Sequence, residues 1–198
     1  MRSVSILAAA FAVGLGTFAM SRDAHALGPV DVEVGAKVGV ATNPVSGANS
    51  SSINPLGFGL GARGGIDLLG FYGGVQFMYY LGGSNDISVP GGSGSVSVHT
   101  VMYGVEAGYG ITLLDILTIR PQIGLGNATF SSSGSGSGTL SVSVPGSDKS
   151  NLYLEPGVTG LVGLGLWYVG ADANVLVFPG LDNSKAAFSL HGQVGVKF

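Results

Sequence analysis

The sequence contains no cysteine and few charged residues. Without cysteine, the chain has neither a disulfide framework nor a thiolate metal site. Charged residues make up 10% of the 198 positions, where about 25% is usual for soluble domains. Hydrophobic residues make up 45%, and the formal charge of −3 provides no basic surface for nucleic acid. This composition argues against disorder and against a freely soluble surface.

After its first 26 residues the chain also lacks an apolar run that is long and unbroken enough for a membrane helix. The first 26 residues themselves have the parts of a secretory signal peptide: a basic start at Arg2, an apolar stretch over Ile6–Met20 and an Ala-x-Ala site at Ala24 and Ala26. A retained anchor is disfavoured, because the stretch is shorter than the roughly 18 apolar residues that a span needs. We therefore expect export, removal of residues 1–26, and one mature domain over residues 27–198.

Alternation of apolar with small or polar residues recurs along the mature chain and predicts strands. The alternating segments are Val30–Ala41, Leu56–Leu68, Phe71–Leu81, Val98–Ile111, Ile116–Phe130, Asn151–Leu164, Trp167–Phe178 and Ala187–Phe198. Tight turns such as Leu69-Gly70 and Gly165-Leu166 alternate with long Ser/Gly-rich loops, of which "GSVSVHT" could extend its strand. The pattern predicts four successive hairpins.

One face of every predicted strand is apolar and uncharged, and the charges lie on the other face. Eight such faces exceed the few hundred Å² of apolar patch that a soluble monomer exposes. A soluble sandwich could bury them, but its open face would carry many Lys and Glu residues, whereas here the second face is mostly glycine. Only helices and closed barrels satisfy their backbone groups in lipid. The sequence therefore predicts an all-β fold, an eight-stranded antiparallel transmembrane β-barrel with both termini on the short-turn side.

Aromatic residues near both ends of the predicted strands are typical of rings at the two membrane interfaces. This set comprises Phe58, Phe71, Phe77, Tyr79, Tyr103, Trp167, Phe178 and Phe198. Pro121 and Pro156 each remove a ladder hydrogen bond, so we expect bulges or local strand ends at these positions.

The last segment, "FSLHGQVGVKF", places apolar residues at alternate positions and ends on an aromatic ring; they are Phe188, Leu190, Val194, Val196 and Phe198. In this segment and in its overall pattern, the mature chain resembles the small outer-membrane β-barrels of Gram-negative bacteria, the OmpA/OmpX/OmpW-like group. The resemblance implies a monomeric multi-pass barrel in the outer membrane with periplasmic termini and a lipid-facing surface. It also implies biogenesis through the secretion pathway and the barrel-assembly machinery, to which this last strand is the recognition signal.

An eight-stranded barrel has an interior just wide enough for side chains to fill, and unpaired ions there would be costly. The inward charges are Glu33, Lys37, Arg63, Asp67, Glu106, Arg120, Glu155 and Asp172. We expect Glu106 beside Arg120. A second group is expected from the first two strands: Glu33, Lys37, Arg63 and Asp67. The network is either a structural plug or the gate of a narrow pore, for which inward glycines such as Gly35, Gly59 and Gly104 would leave room.

The sequence shows no metal-ligand spacing, phosphate loop or nucleotide fingerprint, so we expect no cofactor and no metal. The mature histidines, His99 and His191, have serines nearby only because serine is abundant. The expected function is therefore non-enzymatic: an integral outer-membrane barrel, structural or porin-like, that passes at most small solutes. A surface adhesion or recognition barrel acting through its Ser/Gly-rich extracellular loops is the main alternative. A lipid-modifying enzyme is a distant third.

Overall fold

The computed structural model describes residues 30–45, 53–89, 92–114, 116–138, 143–181 and 183–198. The described chain forms β-strands β1 Val30–Ala41, β2 Gly57–Leu68, β3 Phe71–Tyr80, β4 Ser84–Val89, β5 Gly92–Tyr109, β6 Ile111–Leu113, β7 Leu117–Gly138, β8 Ser143–Leu164, β9 Trp167–Leu176 and β10 Ala187–Lys197. Across these ranges, no helix has the length and apolar character needed to cross a membrane. The expected signal peptide, with Ala24 and Ala26, lies outside the described residues.

Eight of the strands close into one antiparallel barrel. Around the wall the order is β1, β2, β3, β5, β7, β8, β9 and β10, and β10 pairs again with β1. Closure leaves no unpaired edge in the wall, which is the condition for a sheet to lie in lipid. The predicted all-β, eight-stranded barrel is confirmed.

The two prolines mark interruptions of the ladders. β5 and β6 pair with β7 in one continuous register, with Gly110 between them, and Pro121 of β7 falls opposite Tyr109, the last residue of β5 before this gap. The β8–β9 ladder is broken at Pro156, between the isolated Leu154–Val177 bridge and the pair Gly157–Asn174. Proline has no N–H to donate, which accounts for an interrupted ladder at each place. The register is the same on both sides of each interruption. Local ends therefore occur there, and the expected bulges do not.

Side chains along the barrel strands alternate between the exterior and the enclosed interior, which we call the lumen. In β10, Phe188 is 63% and Leu190 57% exposed, whereas Ser189 is 4% and His191 1% exposed. Each of the eight strands of the wall carries exposed Val, Leu, Ile or aromatic side chains on its outer face. Together they form an apolar belt, as the period-2 pattern predicts.

Three strands are longer than the sequence pattern predicts. β5 has 18 residues, and β7 and β8 have 22 each. Beyond the barrel wall they pair with one another and with β4, in the order β4–β5–β7–β8. We call this four-stranded sheet the extension. The expected lengthening of a strand through "GSVSVHT" is therefore confirmed.

Phe178 is not part of an aromatic girdle, and the prediction for this residue is wrong. Its side chain is fully buried in the lumen, where its ring packs edge-on against Phe130 with centroids 5.5 Å apart. Since successive residues of an extended chain point to opposite faces, the neighbouring Val177 is outward and Phe178 is inward. The other predicted members lie on the exterior, either exposed or half-buried: Phe58, Phe71, Phe77, Tyr79, Tyr103, Trp167 and Phe198.

Candidate functional site in the barrel interior

The lumen is filled by three successive layers of side chains. At the short-turn end lies the ionic layer, which we define as Glu33, Arg63, Asp67, Tyr72, Glu106 and Arg120. The middle layer consists of Lys37, Gln76, Glu155, Asp172 and His191, and the hydroxyl of Tyr80 reaches it from the level of the next layer. The apolar cap at the long-loop end consists of Leu56, Met78, Met102, Leu176 and Phe178. Every member of these layers is at most 7% exposed.

The ionic layer contains a fork-shaped ion pair across the lumen. The two terminal nitrogens of Arg120 donate to the two carboxylate oxygens of Glu33 at 2.8 and 2.7 Å. The Nη2 of Arg120 also lies 3.1 Å from Oδ2 of Asp67. This two-point geometry is the strong arrangement for a guanidinium and a carboxylate, and it keeps a fully buried arginine paired.

A second ion pair in the ionic layer joins Arg63 to Glu106, with Nη2 2.9 Å from Oε1. The hydroxyl of Tyr72 donates to the same carboxylate oxygen at 2.8 Å. The Tyr72 ring also faces both guanidinium groups, with its centroid 4.7 Å from Cζ of Arg63 and 4.1 Å from Cζ of Arg120. These distances are within the range of cation–π attraction, so one tyrosine bridges the two ion pairs.

The pairing differs from the one expected from the sequence. Glu106 binds Arg63 instead of Arg120, and Arg120 binds Glu33 and Asp67. Sequence position gives the level of a residue along the barrel axis, but it does not say how far a long side chain reaches across the lumen. Arg120 extends from β7 to β1, and these strands are not neighbours in the wall.

Asp172 is the centre of the middle layer. One of its oxygens is 2.7 Å from Nδ1 of His191, and the other is 3.2 Å from Nζ of Lys37. Lys37 also donates to Oε1 of Gln76, whose amide nitrogen donates to Glu155. These contacts form one continuous hydrogen-bonded chain across the barrel. The sequence pattern singled out Lys37, Glu155 and Asp172, but it missed their neutral partner Gln76.

His191 continues this chain toward the long-loop end. Its Nε2 is 2.8 Å from the hydroxyl of Tyr80, and both side chains are about 1% exposed. A histidine held between a carboxylate and a hydroxyl resembles a catalytic arrangement, but no substrate can reach an imidazole enclosed in this way. The other histidine of the described residues, His99, is half-buried with its ring 5.7 Å from that of Tyr79, and Ser97 contacts Ser133.

The sequence pattern did not predict the apolar cap, because the inward face of the strands was expected to carry polar residues or glycine. Leu56, Leu176 and Phe178 are completely buried, and Met78 and Met102 are 3% and 2% exposed. Inward positions near the long loops thus include this apolar cluster beside polar residues such as Thr100 and Ser189, whereas those lower in the barrel are charged. The signal was present in the sequence as Met78 and Met102, which lie in phase with the inward Gln76 and Glu106.

The space beside several inward glycines is occupied by tyrosine rings. A Cβ atom at Gly59 would lie 2.5 Å from the ring of Tyr80, and one at Gly126 would lie 2.8 Å from the ring of Tyr153. Both glycines are register partners of the tyrosine that they accommodate. Gly35 and Gly104 are likewise occupied, by Tyr168 and Tyr153. The interpretation of these glycines as open space is therefore wrong.

In the part of the chain that the structure describes, no group of His, Asp and Glu residues has the arrangement of a metal site. The charged side chains of the lumen instead pair with one another and with neutral amide and hydroxyl groups. What this arrangement can do is close the barrel: two polar layers and one apolar layer follow one another along the axis.

Comparisons with known proteins relate this chain to others through its fold. No family model matches the sequence, and no curated protein matches it significantly. Among solved structures, a major outer-membrane protein of Thermus thermophilus superposes with a TM-score of 0.60 at 13% identity, over 85% of this chain and 99% of that one. The N-terminal β-barrel domain of OprF from Pseudomonas aeruginosa gives 0.51 at 14% identity, over 85% and 97%.

A third similar structure is Ail, the attachment invasion locus protein of Yersinia pestis, solved in complex with the heparin analogue sucrose octasulfate. Its TM-score is 0.50 at 10% identity, over 85% of this chain and 97% of that one. At these identities the similarity shows the fold alone. The chain has the fold of the eight-stranded outer-membrane β-barrels.

Proposed function

We propose that this chain is an integral outer-membrane β-barrel protein whose filled lumen makes it structural and not conducting. The observation that carries the proposal is the succession of three closed layers, in which ion pairs, a hydrogen-bonded chain and an apolar cap each occupy the interior. An ion crossing the barrel would have to separate buried charges and then pass the apolar cap. Both steps are costly in a medium of low dielectric constant.

The location in an outer membrane is supported by independent features of the chain. The exterior is an apolar belt with exposed aromatic rings toward both ends, such as Phe71, Trp167, Phe58 and Tyr103. The fold is shared with barrels of outer membranes. The proposal includes export through residues 1–26, a mature domain over 27–198, assembly through the strand that ends in Phe198, and periplasmic termini.

The test is the single-channel conductance of the refolded mature barrel in a planar bilayer. We expect the folded wild-type barrel to be silent. The variants Glu106→Gln and Phe178→Ala probe the ionic layer and the apolar cap separately, and each alone is expected to stay silent because the other layers remain closed. Discrete openings of the wild type, changed in size by Glu106→Gln, would overturn the proposal and make the protein a narrow porin with an ionic gate.

A second candidate function, surface recognition, is favoured by the extension. Residues 143–148 of β8 pair with β7, while β9 joins β8 only from the Leu154–Val177 bridge onward, so the other edge of residues 143–148 pairs with none of the strands that the structure describes. Among the described strands β4 pairs with β5 alone, so it provides a second edge on the opposite side of the extension. A partner could add a strand to either edge through backbone hydrogen bonds. The monomer proposed for the barrel leaves both edges available.

The chemistry of such a partner is limited by the charge of the extension. The extension segments 84–89, 92–99, 131–138 and 143–150 contain Lys149 and no other lysine or arginine. A polyanion such as the ligand of Ail is therefore not favoured, and an uncharged polypeptide segment is. Cells that display the barrel with β4 and residues 143–150 replaced by short loops should lose adhesion if the extension recognises a partner. Unchanged adhesion would exclude this candidate and leave the structural role.

The protein is proposed to be non-enzymatic. The arrangement closest to a catalytic one, His191 with Asp172 and Tyr80, lies in the closed lumen and away from lipid. His99 lies on the strand that leads into the extension, where its contact is the ring of Tyr79. A lipid-modifying activity that disappears in His99→Ala would contradict this part of the proposal.

A further inference from the structure

The tight turns at the short-turn end of the barrel are tipped with exposed leucines. Leu69 of the β2–β3 turn is 69% exposed, Leu114 of the β6–β7 turn is 87% exposed, and Leu166 of the β8–β9 turn is 55% exposed. Their apolar neighbours are exposed as well: Leu68, Leu113, Ile116 and Leu164. Three separate turns therefore share the same apolar character, which water would not favour at a hairpin tip.

Two of these leucines also hold an unfavourable backbone conformation. Leu69 and Leu114 both have φ of +54°, in the left-handed region that glycine and asparagine adopt more easily. A hairpin turn in water is normally built from Asn-Gly or Gly-Gly for this reason. Leucine at such a position is disfavoured both by its backbone and by its exposure. Something at this end of the barrel must therefore favour an apolar side chain.

The arrangement of the three leucines indicates what covers this end of the barrel. They lie on three different hairpins around a mouth to which Leu69 itself contributes. The rest of its lining is mainly polar and includes Asp31, Asp67, Thr112, Thr118 and Lys197. Asp31 and Lys197 form a 3.0 Å ion pair there, with side chains 46% and 34% exposed. A docked protein would need one continuous patch across the end. An apolar ring around a polar centre instead fits an annulus of lipid.

The tips are also continuous with the apolar belt. Leu69 is followed in β3 by Phe71, and Leu166 is followed in β9 by Trp167, and both rings are outward and exposed. β3 and β9 have only 10 residues each. Such strands, tilted by about 40°, span roughly 25 Å, which is just the height of the apolar band of outer-membrane barrels. The leucines beyond them then fall at the acyl–headgroup boundary.

We propose that the leucine-tipped turns insert into the periplasmic leaflet, so that lipid, and not water or a periplasmic protein, covers the rim of this end. The ring of Leu69, Leu114 and Leu166 fixes how deep the barrel lies and holds the polar mouth at the bilayer surface. This inference rests on the proposed membrane location and adds to it the depth of one end.

Because the chain has no cysteine, single-cysteine variants test the proposal directly. Leu114→Cys and Leu166→Cys would each carry an environment-sensitive fluorophore in the barrel refolded into phosphatidylcholine vesicles. The belt control is Val105→Cys, which is outward and 56% exposed on the wall, and the aqueous control is Lys185→Cys in a long loop. We expect nitroxide-labelled lipids to quench both tip sites and the belt site, with shallow nitroxides most effective at the tips, and to leave the loop site unquenched.

The controls separate the two ways in which the account could fail. Quenching of the belt site without quenching of the tips would overturn the inference and leave the membrane barrel intact. Absence of quenching at the belt site as well would overturn the proposed location. Tips that are shielded from both lipid quenchers and aqueous iodide only when periplasmic extract is present would point to a protein partner and would likewise overturn the inference.

A second variant gives a result of opposite sign for water and lipid. Asparagine tolerates the positive φ of Leu69 and removes an exposed apolar side chain. If the tip were in water, Leu69→Asn would therefore raise the urea midpoint of unfolding from vesicles. We expect it to lower the midpoint, because the substitution replaces a leucine side chain in contact with lipid by a polar amide. A raised midpoint would contradict the inference.

Discussion

Arg120 and Glu33 join opposite parts of the barrel wall through two parallel hydrogen bonds of 2.8 and 2.7 Å. Arg120 is in β7 and Glu33 in β1, and neither strand pairs with the other in the sheet. The contact therefore crosses the lumen and does not follow the ladder. With Tyr72 stacked beneath both guanidinium groups, it makes the ionic layer a continuous cross-brace at the short-turn end.

Removal of Arg120 should destabilise the barrel strongly. In Arg120→Ala, the buried Glu33 and Asp67 would lose their guanidinium partner, and Glu33 would keep the longer 3.7 Å contact with Lys197. Removing one partner of a buried ion pair typically costs about 3–5 kcal/mol. Glu106 is not expected to be affected directly, since it keeps Arg63. The measurement is the free energy of unfolding from lipid vesicles in urea.

The control for this prediction is the double variant Glu33→Gln/Arg120→Gln. Because it removes both charges of the pair, we expect it to recover a large part of the stability lost in Arg120→Ala. Equal stability of Arg120→Ala and the wild type would show that the ionic layer is not a brace.

Truncation of Phe178 should open a cavity in the apolar cap. The ring is fully buried and packs on Phe130, and removal of such a ring costs about 3–5 kcal/mol when the surroundings cannot collapse. Phe58→Ala is the matched control, because this phenylalanine is 48% exposed on the outer face and lipid can fill the space that it leaves. Urea unfolding should show a larger loss for Phe178→Ala. The reverse order would contradict the inward placement of Phe178.

Two glycine-to-alanine variants should differ sharply in their effect on folding. A Cβ at Gly39 of β1 would clash with the backbone oxygen of Leu190 and lie 2.7 Å from the ring of His191, so β1 and β10 would have to move apart. A Cβ at Gly73 of β3 would meet nothing within 4 Å. We expect a reduced fraction of heat-modifiable, folded barrel on refolding of Gly39→Ala and a normal fraction for Gly73→Ala. Similar yields would mean that the β1–β10 seam tolerates separation.

The wall of the barrel could be predicted from the sequence because it depends on a local rule. Alternation with a period of two assigns each side chain to one face, and it placed Phe188 and Leu190 outward and Asp172 inward without any structure. The prediction for Phe178 was wrong because this residue lies beyond Leu176, where β9 ends, and in the inward phase of that strand, so the alternation itself did not support a girdle position.

The contents of the lumen could be predicted only in part. The rule identified which charges point inward, but the partner of Arg120 depends on reach across the barrel, which no spacing along the chain encodes. The tyrosines were missed for a related reason. Tyr80 and Tyr168 fill space left by glycines on neighbouring strands, Gly59 and Gly195, and those pairs exist only once the register is known.

The most direct test of the closed lumen is the reaction of a small charged methanethiosulfonate with a cysteine placed inside it. Thr100→Cys and Thr159→Cys introduce no larger a side chain than the one removed, lie on different strands, and replace side chains that are 0% exposed. Ser97→Cys, on the exposed part of β5, is the reactive control. In the folded barrel we expect rapid modification at position 97 and none at 100 or 159 until the barrel is unfolded. Modification of both lumen sites in the folded state would contradict the account, because it would require an open path through the layers.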